Sequence, residues 1–139
     1  MYLVDTNIVS EARRGTAAAR DWLRSVDPGS IWLSVITIGE IMKGIALKRR
    51  TDPVQAALLT VWLEQLRQGH ANRVLPVSDL VALEWGRLAA VRSRGMADGL
   101  IAATALVHGK IIVTRNVADF TDLGLAIFNP WEREASIAV

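Results

Sequence analysis

A chain of 139 residues, 51% apolar and 22% charged, has the length and composition of one folded domain with a sizeable core, and it excludes a disordered chain. Its 16 basic and 14 acidic residues leave a net charge of +2, well short of the basic excess of an obligate nucleic-acid binder. The absence of cysteine excludes disulfides, zinc–thiolate sites, iron–sulfur clusters and thiol catalysis.

The apolar runs are short and interrupted, so no membrane span is expected. No signal peptide is visible, and the cytoplasm is the expected compartment. In chain order, Tyr2–Asp5 reads as a first short strand, and Asp5-Thr6-Asn7 supplies three good helix-capping residues directly after it. Thr16–Val26 is a predicted helix, with Ala17, Trp22, Leu23 and Val26 at three- and four-residue spacing. Ile31–Ser34 is the second predicted strand. Helix Val35–Lys48 follows it, with Ile38, Ile41, Met42 and Ile45 along one side. A further helix, Val54–Gln68, carries Leu58, Leu59, Trp62 and Leu66, and a strand is predicted at Arg73–Val77. Helix Leu80–Arg92 presents Val81, Trp85 and Leu88. The Ala-rich helix Asp98–His108 then closes on Gly109, a C-terminal stop. Strands Ile111–Thr114 and Leu125–Phe128 complete the series.

Short aliphatic strands alternating with helices predict an α/β fold of three layers, α/β/α, around a mostly parallel sheet of about five short strands. Two helices between the second and third strands predict a helical hairpin there. Ligands should gather beyond the carboxyl ends of the strands, where the strand order reverses.

Four acids stand out by position. Asp5 ends the first strand, Glu40 lies about a turn into the helix after the second, Asp98 begins the Ala-rich helix, and Asp119 follows the fourth strand. In a parallel sheet all four fall on one edge. Each has an ordinary role open to it: Asp5 or Asp98 as a helix cap, Glu40 as a partner of Lys43 or Lys48, Asp119 as a turn former. Those roles do not account for the convergence. Carboxylates gathered in one cleft repel, and one or more has its pKa pushed up unless a cation is present. Acids and water, without sulfur or clustered imidazole, suit a hard ion such as Mg²⁺ or Mn²⁺. His70 and His108 are isolated and read as surface or cap residues, and no P-loop is present. The five tryptophans, Trp22, Trp32, Trp62, Trp85 and Trp131, read as core. The basic clusters Arg13-Arg14, Lys48-Arg49-Arg50 and Arg92 with Arg94 read first as solvated helix ends.

The stretches "LVDTNIVSE", "LSVITIGEIMKGI", "ADGLIAATALVHG", "IIVTRNVADF" and "FNPWE", in that order, resemble a PIN domain. The resemblance is to the VapC-like toxins of bacterial toxin–antitoxin pairs, the FitB type included, and runs from Tyr2 to Glu132. It implies an endoribonuclease dependent on Mg²⁺ or Mn²⁺, with Asp5, Glu40, Asp98 and Asp119 as the metal-binding and catalytic acids. Thr6, Asn7, Thr114 and Asn116 fall on polar positions that support such a site, Asn116 closest to the ion or its water. Arg13, Arg14 and Arg115 flank the motifs and are candidate RNA contacts. Residues 1–132 would form the nuclease domain and 133–139 a tail. A cognate antitoxin and a homodimer are expected, since helices Val54–Gln68 and Leu80–Arg92 carry more apolar surface than one sheet face needs. The segment "RSRGMADG" is shorter than in many relatives, which keeps a second reading open: a protein-binding module of the same fold with weak turnover. A third reading, a phosphohydrolase with Asp5 as nucleophile, would want an acid at position 7, where Asn stands, and a lysine such as Lys110.

Overall fold

The computed structural model describes residues 1–132; the tail, 133–139, lies outside the described residues. Five strands, β1 Tyr2–Val4, β2 Ile31–Ser34, β3 Val74–Leu75, β4 Ile111–Val113 and β5 Ile127–Phe128, form one sheet in the order β3-β2-β1-β4-β5. Every pairing is parallel. Six helices cover it: α1 Thr6–Arg13, α2 Ala17–Ser25, α3 Val35–Arg49, α4 Pro53–Gly69, α5 Asp79–Val91 and α6 Met96–His108.

Successive strand residues face opposite sides of the sheet, and that alternation builds the three layers. Val4 and Val113 join Ile8, Trp22, Leu33, Ile41, Ile45 and Leu63 in a core under α1 to α4. Leu3 and Ile112 join Val81, Leu88, Ile101 and Phe120 in a second core under α5 and α6. Both faces are covered, which is why these strands read as unbroken aliphatic runs. The predicted α/β architecture and the helical hairpin α3–α4 between β2 and β3 are both present.

Three local readings differ from the structure. Helix α1 was not predicted, because its eight residues carry no sustained apolar period; capping by Asp5 and burial of Ile8 and Val9 hold it instead. On α3 the buried stripe runs through Thr37, Ile41 and Ile45, and Met42 is 44% exposed. A threonine took the place that the hydrophobic pattern assigned to methionine. Helix α6 starts at Met96 with Gly95 as its N-cap, so Asp98 lies inside the first turn rather than at the cap.

The tryptophans do pack into or against the two cores, and Trp22 is 4% exposed. His70 caps the end of α4 with its ring Nδ1 2.9 Å from the Leu66 carbonyl, and His108 ends α6. Among the described residues no helix is long and apolar enough to cross a membrane.

Candidate active site

Chain order reverses at β1. The chain moves from β1 outward to β2 and β3, then returns to place β4 on the other side of β1. The crevice between the carboxyl ends of β1 and β4 is therefore the place where an open parallel sheet receives a ligand. Asp5 stands at that point. Its backbone N–H donates to the Val113 carbonyl at 2.8 Å, one residue beyond the ladder proper, and the same residue is the N-cap of α1.

The Asp5 carboxylate is 4% exposed and held from three sides. Thr6 N–H donates to Oδ1 at 2.8 Å, while the Thr114 hydroxyl donates to Oδ2 at 2.9 Å and Asn7 Nδ2 to Oδ2 at 3.2 Å. Burial raises the Asp5 pKa from 3.8 to about 6; the Thr114 and Thr6 hydrogen bonds oppose the rise, and the charges of Asp98 and Glu40 add to it. The cap role is present in the structure, and it does not by itself account for the burial of this residue. A carboxylate needed only for capping has no reason to be buried beside two others.

The structure brings the other acids close enough for their charges to interact. Asp98, half-buried in the first turn of α6, has its pKa raised by burial, then by the charge of Asp119, then by Glu40. Asp119 closes the short 3-10 turn Val117–Asp119 after β4, so the turn-forming role and the convergence again coincide. Glu40 is exposed on α3. It is nevertheless fixed: Thr6 Oγ1 lies 2.6 Å from Glu40 Oε1 and 3.0 Å from the buried Thr37 Oγ1. A hydroxyl has one proton, which goes to the carboxylate, so Thr37 serves as donor to Thr6. Among the described residues no three acidic or histidine side chains lie close enough together to form a group that could hold a metal ion. The acids share one field but do not touch.

The polar positions around Asp5 form a connected set. Thr114, fully buried at the end of β4, donates to Asp5 and accepts the Asn116 N–H at 3.0 Å. Asn7 Oδ1 accepts the Arg115 N–H at 3.3 Å, tying the loop after β4 to α1. Replacing Thr114 by valine keeps the shape and removes the donor. The expected cost is about 1–3 kcal/mol, and the Asp5 pKa should rise further, as carboxyl-carbon NMR titration would read.

The basic residues separate into two groups. Arg13 and Arg14 line a cleft of about 470 Å³ that shares Thr6 and Glu40 with the acid cluster. Lys48, Gln55 and Trp62 complete that cleft, with the Arg13 guanidinium 5.8 Å from the Trp62 ring centroid and Arg14 paired to Glu11 at 3.0 Å. Arg115 instead stacks on Trp131 at 4.8 Å. Lys48 and Trp62 were visible in the sequence only as a helix-end charge and a core aromatic; the α3–α4 packing that joins them is long-range. Arg94 overturns the reading of its cluster as a solvated helix end, since its side chain is 4% exposed and paired with Asp122.

Fold and site together define an α/β domain with a buried carboxylate at the sheet's switch point and further acids whose charges reach it. The chain belongs to the PIN domain family, whose model matches residues 2–124. It is 36% identical over 143 residues to the VapC ribonuclease Y4jK of Sinorhizobium fredii, covering 95% of this chain and 99% of that protein. It is 34% identical over 142 residues to Toxin FitB of Neisseria gonorrhoeae, covering 94% and 99%. The crystal structure of FitAcB from Neisseria gonorrhoeae contains a chain that matches with a TM-score of 0.86 at 34% identity, over 94% of this chain and 99% of that one.

Proposed function

We propose that this chain is an endoribonuclease dependent on Mg²⁺, with Mn²⁺ as substitute, and the toxin of a toxin–antitoxin pair. The observation that carries the reading is Asp5: a buried carboxylate at the switch point, whose pKa is pushed up by burial and by the charges of Asp98 and Glu40. Such a group favours whatever neutralises it. The surrounding donors are carboxylate, hydroxyl and amide oxygens, which suit a hard, partly hydrated divalent ion. When bound, that ion supplies a more acidic water and neutralises charge on a phosphodiester.

The residues of the chain have separable tasks in this reading. Asp5, Glu40 and Asp98 would hold the ion, and Asp119 would hold a second or orient water. Thr114 and the Thr6 N–H keep the Asp5 carboxylate in one orientation and favour its ionised form, and the Thr6 hydroxyl holds Glu40 in place. Asn7 and Asn116 secure the loop between β4 and the Asp119 turn. Arg13 and Arg14, with Lys48, take backbone phosphates of a single strand whose scissile bond lies at the acids, and Arg115 meets the strand beyond them. Residues 1–132 form the working unit.

The phosphohydrolase reading loses its cation. Lys110 precedes β4, at the sheet edge opposite Asp5, and its Nζ lies 4.2 Å from the Trp32 ring centroid. The relationships to Y4jK and FitB support a small antitoxin protein as cognate partner, and an RNA substrate fits the cytoplasm. Exposed Leu80, Leu83, Val91 and Met96 support a homodimer, which sedimentation of the purified chain would measure.

The deciding experiment incubates the purified chain with structured RNA, with and without Mn²⁺, and maps the ends. Cleavage leaving 5′-phosphate and 3′-hydroxyl ends, lost on chelation and in Asp98→Asn, is expected. Cyclic phosphate ends, or full cleavage by Asp98→Asn, would overturn the assignment. Lys48→Gln is expected to weaken RNA binding and flatten the slope of log affinity against log salt by roughly 0.7, the value for one single-strand phosphate contact. An unchanged slope would remove Lys48 from the RNA path.

A further inference from the structure

The chain between α5 and α6 is only four residues, Arg92 to Gly95, and it delivers Asp98 to the cleft. The Asp119 turn arrives from the other direction, after β4. Two like-charged carboxylates on separate segments push those segments apart, and no covalent link or strand pairing joins them. What does join them is a set of charged contacts beneath the acids. Arg92 Nη2 donates to the Ala118 and Asp119 carbonyls, each at 3.2 Å, and its Nε lies 3.6 Å from Asp122 Oδ2. Arg94 Nη2 forks onto both Asp122 oxygens at 3.1 and 3.4 Å, and Nη1 donates to the Leu88 carbonyl at 3.3 Å.

We propose that Arg92, Arg94 and Asp122 form a latch that sets the separation of Asp98 and Asp119, and that they are positioning residues for the metal-binding acids. This rests on the nuclease reading above. Three features favour a built device over a surface ion pair. The Arg94 side chain is 4% exposed, and its Nε is the only fully buried polar side-chain atom among the described residues without a hydrogen-bond partner. Burying a guanidinium at that expense contributes little stability, so it is retained for geometry. Both arginines reach main-chain carbonyls as well as Asp122, which fixes backbone and not merely charge. Lastly, Gly99, the residue after Asp98, is seated against the Trp85 ring, where an added Cβ would stand 3.0 Å from Cδ1, and the Arg94 Cδ lies 3.8 Å from the same point. The aliphatic stem of Arg94 therefore packs on the turn that carries Asp98. One side chain touches that turn and holds the partner of the other.

The arrangement also explains how a short lead-in can still place Asp98: the latch does what a longer, self-supporting loop would otherwise do. The direct test is Asp122→Asn, which keeps the shape and removes the charge both arginines hold. Mn²⁺ binding by calorimetry, cleavage kinetics and melting are measured on the same full-length protein. The expected result is a five- to thirtyfold weaker Mn²⁺ affinity and a kcat lowered at least tenfold, with KM for RNA changed less than twofold. Excess Mn²⁺ should recover most of the lost kcat, as it does not for Asp98→Asn. Arg92→Lys, which retains charge and loses the forked contact to two carbonyls, should show the same pattern at smaller size, and it decides the matter if Asp122→Asn does not fold. Wild-type Mn²⁺ affinity and kcat in a folded Asp122→Asn or Arg92→Lys protein would overturn the latch. Failure of the wild-type chain to bind Mn²⁺ would instead overturn the metal reading on which it rests.

Discussion

Asp5→Asn is expected to make the metal-free protein more stable at pH 8 while abolishing RNA cleavage. The sign follows from where the proton binds. Asp5 has a folded-state pKa of about 6 against an ordinary 3.8, so the folded protein holds that proton more tightly than the unfolded chain. The associated stability is fully present below pH 3.8 and is lost as pH rises through 6; above it, the ionised carboxylate costs about 3 kcal/mol. Asparagine cannot ionise, so that penalty disappears. Against the gain stands one compromised hydrogen bond, because Thr114, Asn7 and the Thr6 N–H all donate to the carboxylate and an amide offers only one acceptor. That loss is about 1 kcal/mol.

The net gain is about 1–2 kcal/mol, or roughly 3–8 °C in melting temperature for a domain of this size. It should vanish near pH 4, where wild-type Asp5 is already protonated. Adding Mn²⁺ should raise the wild-type melting temperature and leave Asp5→Asn nearly unmoved. Cleavage should fall by at least about a hundredfold, the usual consequence of removing a group that works directly on developing charge. A variant destabilised equally at pH 4 and pH 8 would show that Asp5 is a cap and nothing more. Stability traded for a site is the expected pattern when a charge is buried for function.

How much of this was legible without coordinates depends on the range of the interaction. Asp5 was legible because a polar triplet directly after an aliphatic strand is a local conflict, and its position at the strand end fixes which sheet edge it occupies. Asp98 and Asp119 followed from the same topological argument. Helix α1 was not legible, since its stability comes from Ile8 and Val9 meeting β1 and α3 rather than from its own period. Thr37 on the buried stripe of α3 carried no signal in the apolar pattern; its hydroxyl meets Thr6, a contact across 31 residues. Arg94 looked solvated for the same reason, because Asp122 is 28 residues away. Short-range chemistry announces acids, and only the fold reveals what holds them still.

Phe120→Ala is expected to cost about 3–5 kcal/mol, the largest loss from any single truncation near the site. Phe120 is fully buried, is the bulkiest of the fully buried side chains, and follows Asp119 directly. It sits in the core with Leu3, Ile101, Ile112 and Leu123, so its ring ties the end of the Asp119 turn to β1, β4 and α6 together. Its backbone N–H donates to the Val117 carbonyl at 3.0 Å, closing the turn. Removing the ring leaves a cavity that the sheet cannot fill, because the neighbouring strands are pinned by parallel pairing on both sides of β1 and β4. The midpoint of urea unfolding should fall without a change in slope, and cleavage by the fraction still folded should fall as well, because Asp119 loses its anchor. Phe120→Leu separates the two effects: most of the volume returns, so stability should recover to within about 1.5 kcal/mol. If Phe120→Leu restored stability and Asp119→Asn proved fully active, Asp119 would be a turn residue only, and the acid set would reduce to Asp5, Glu40 and Asp98.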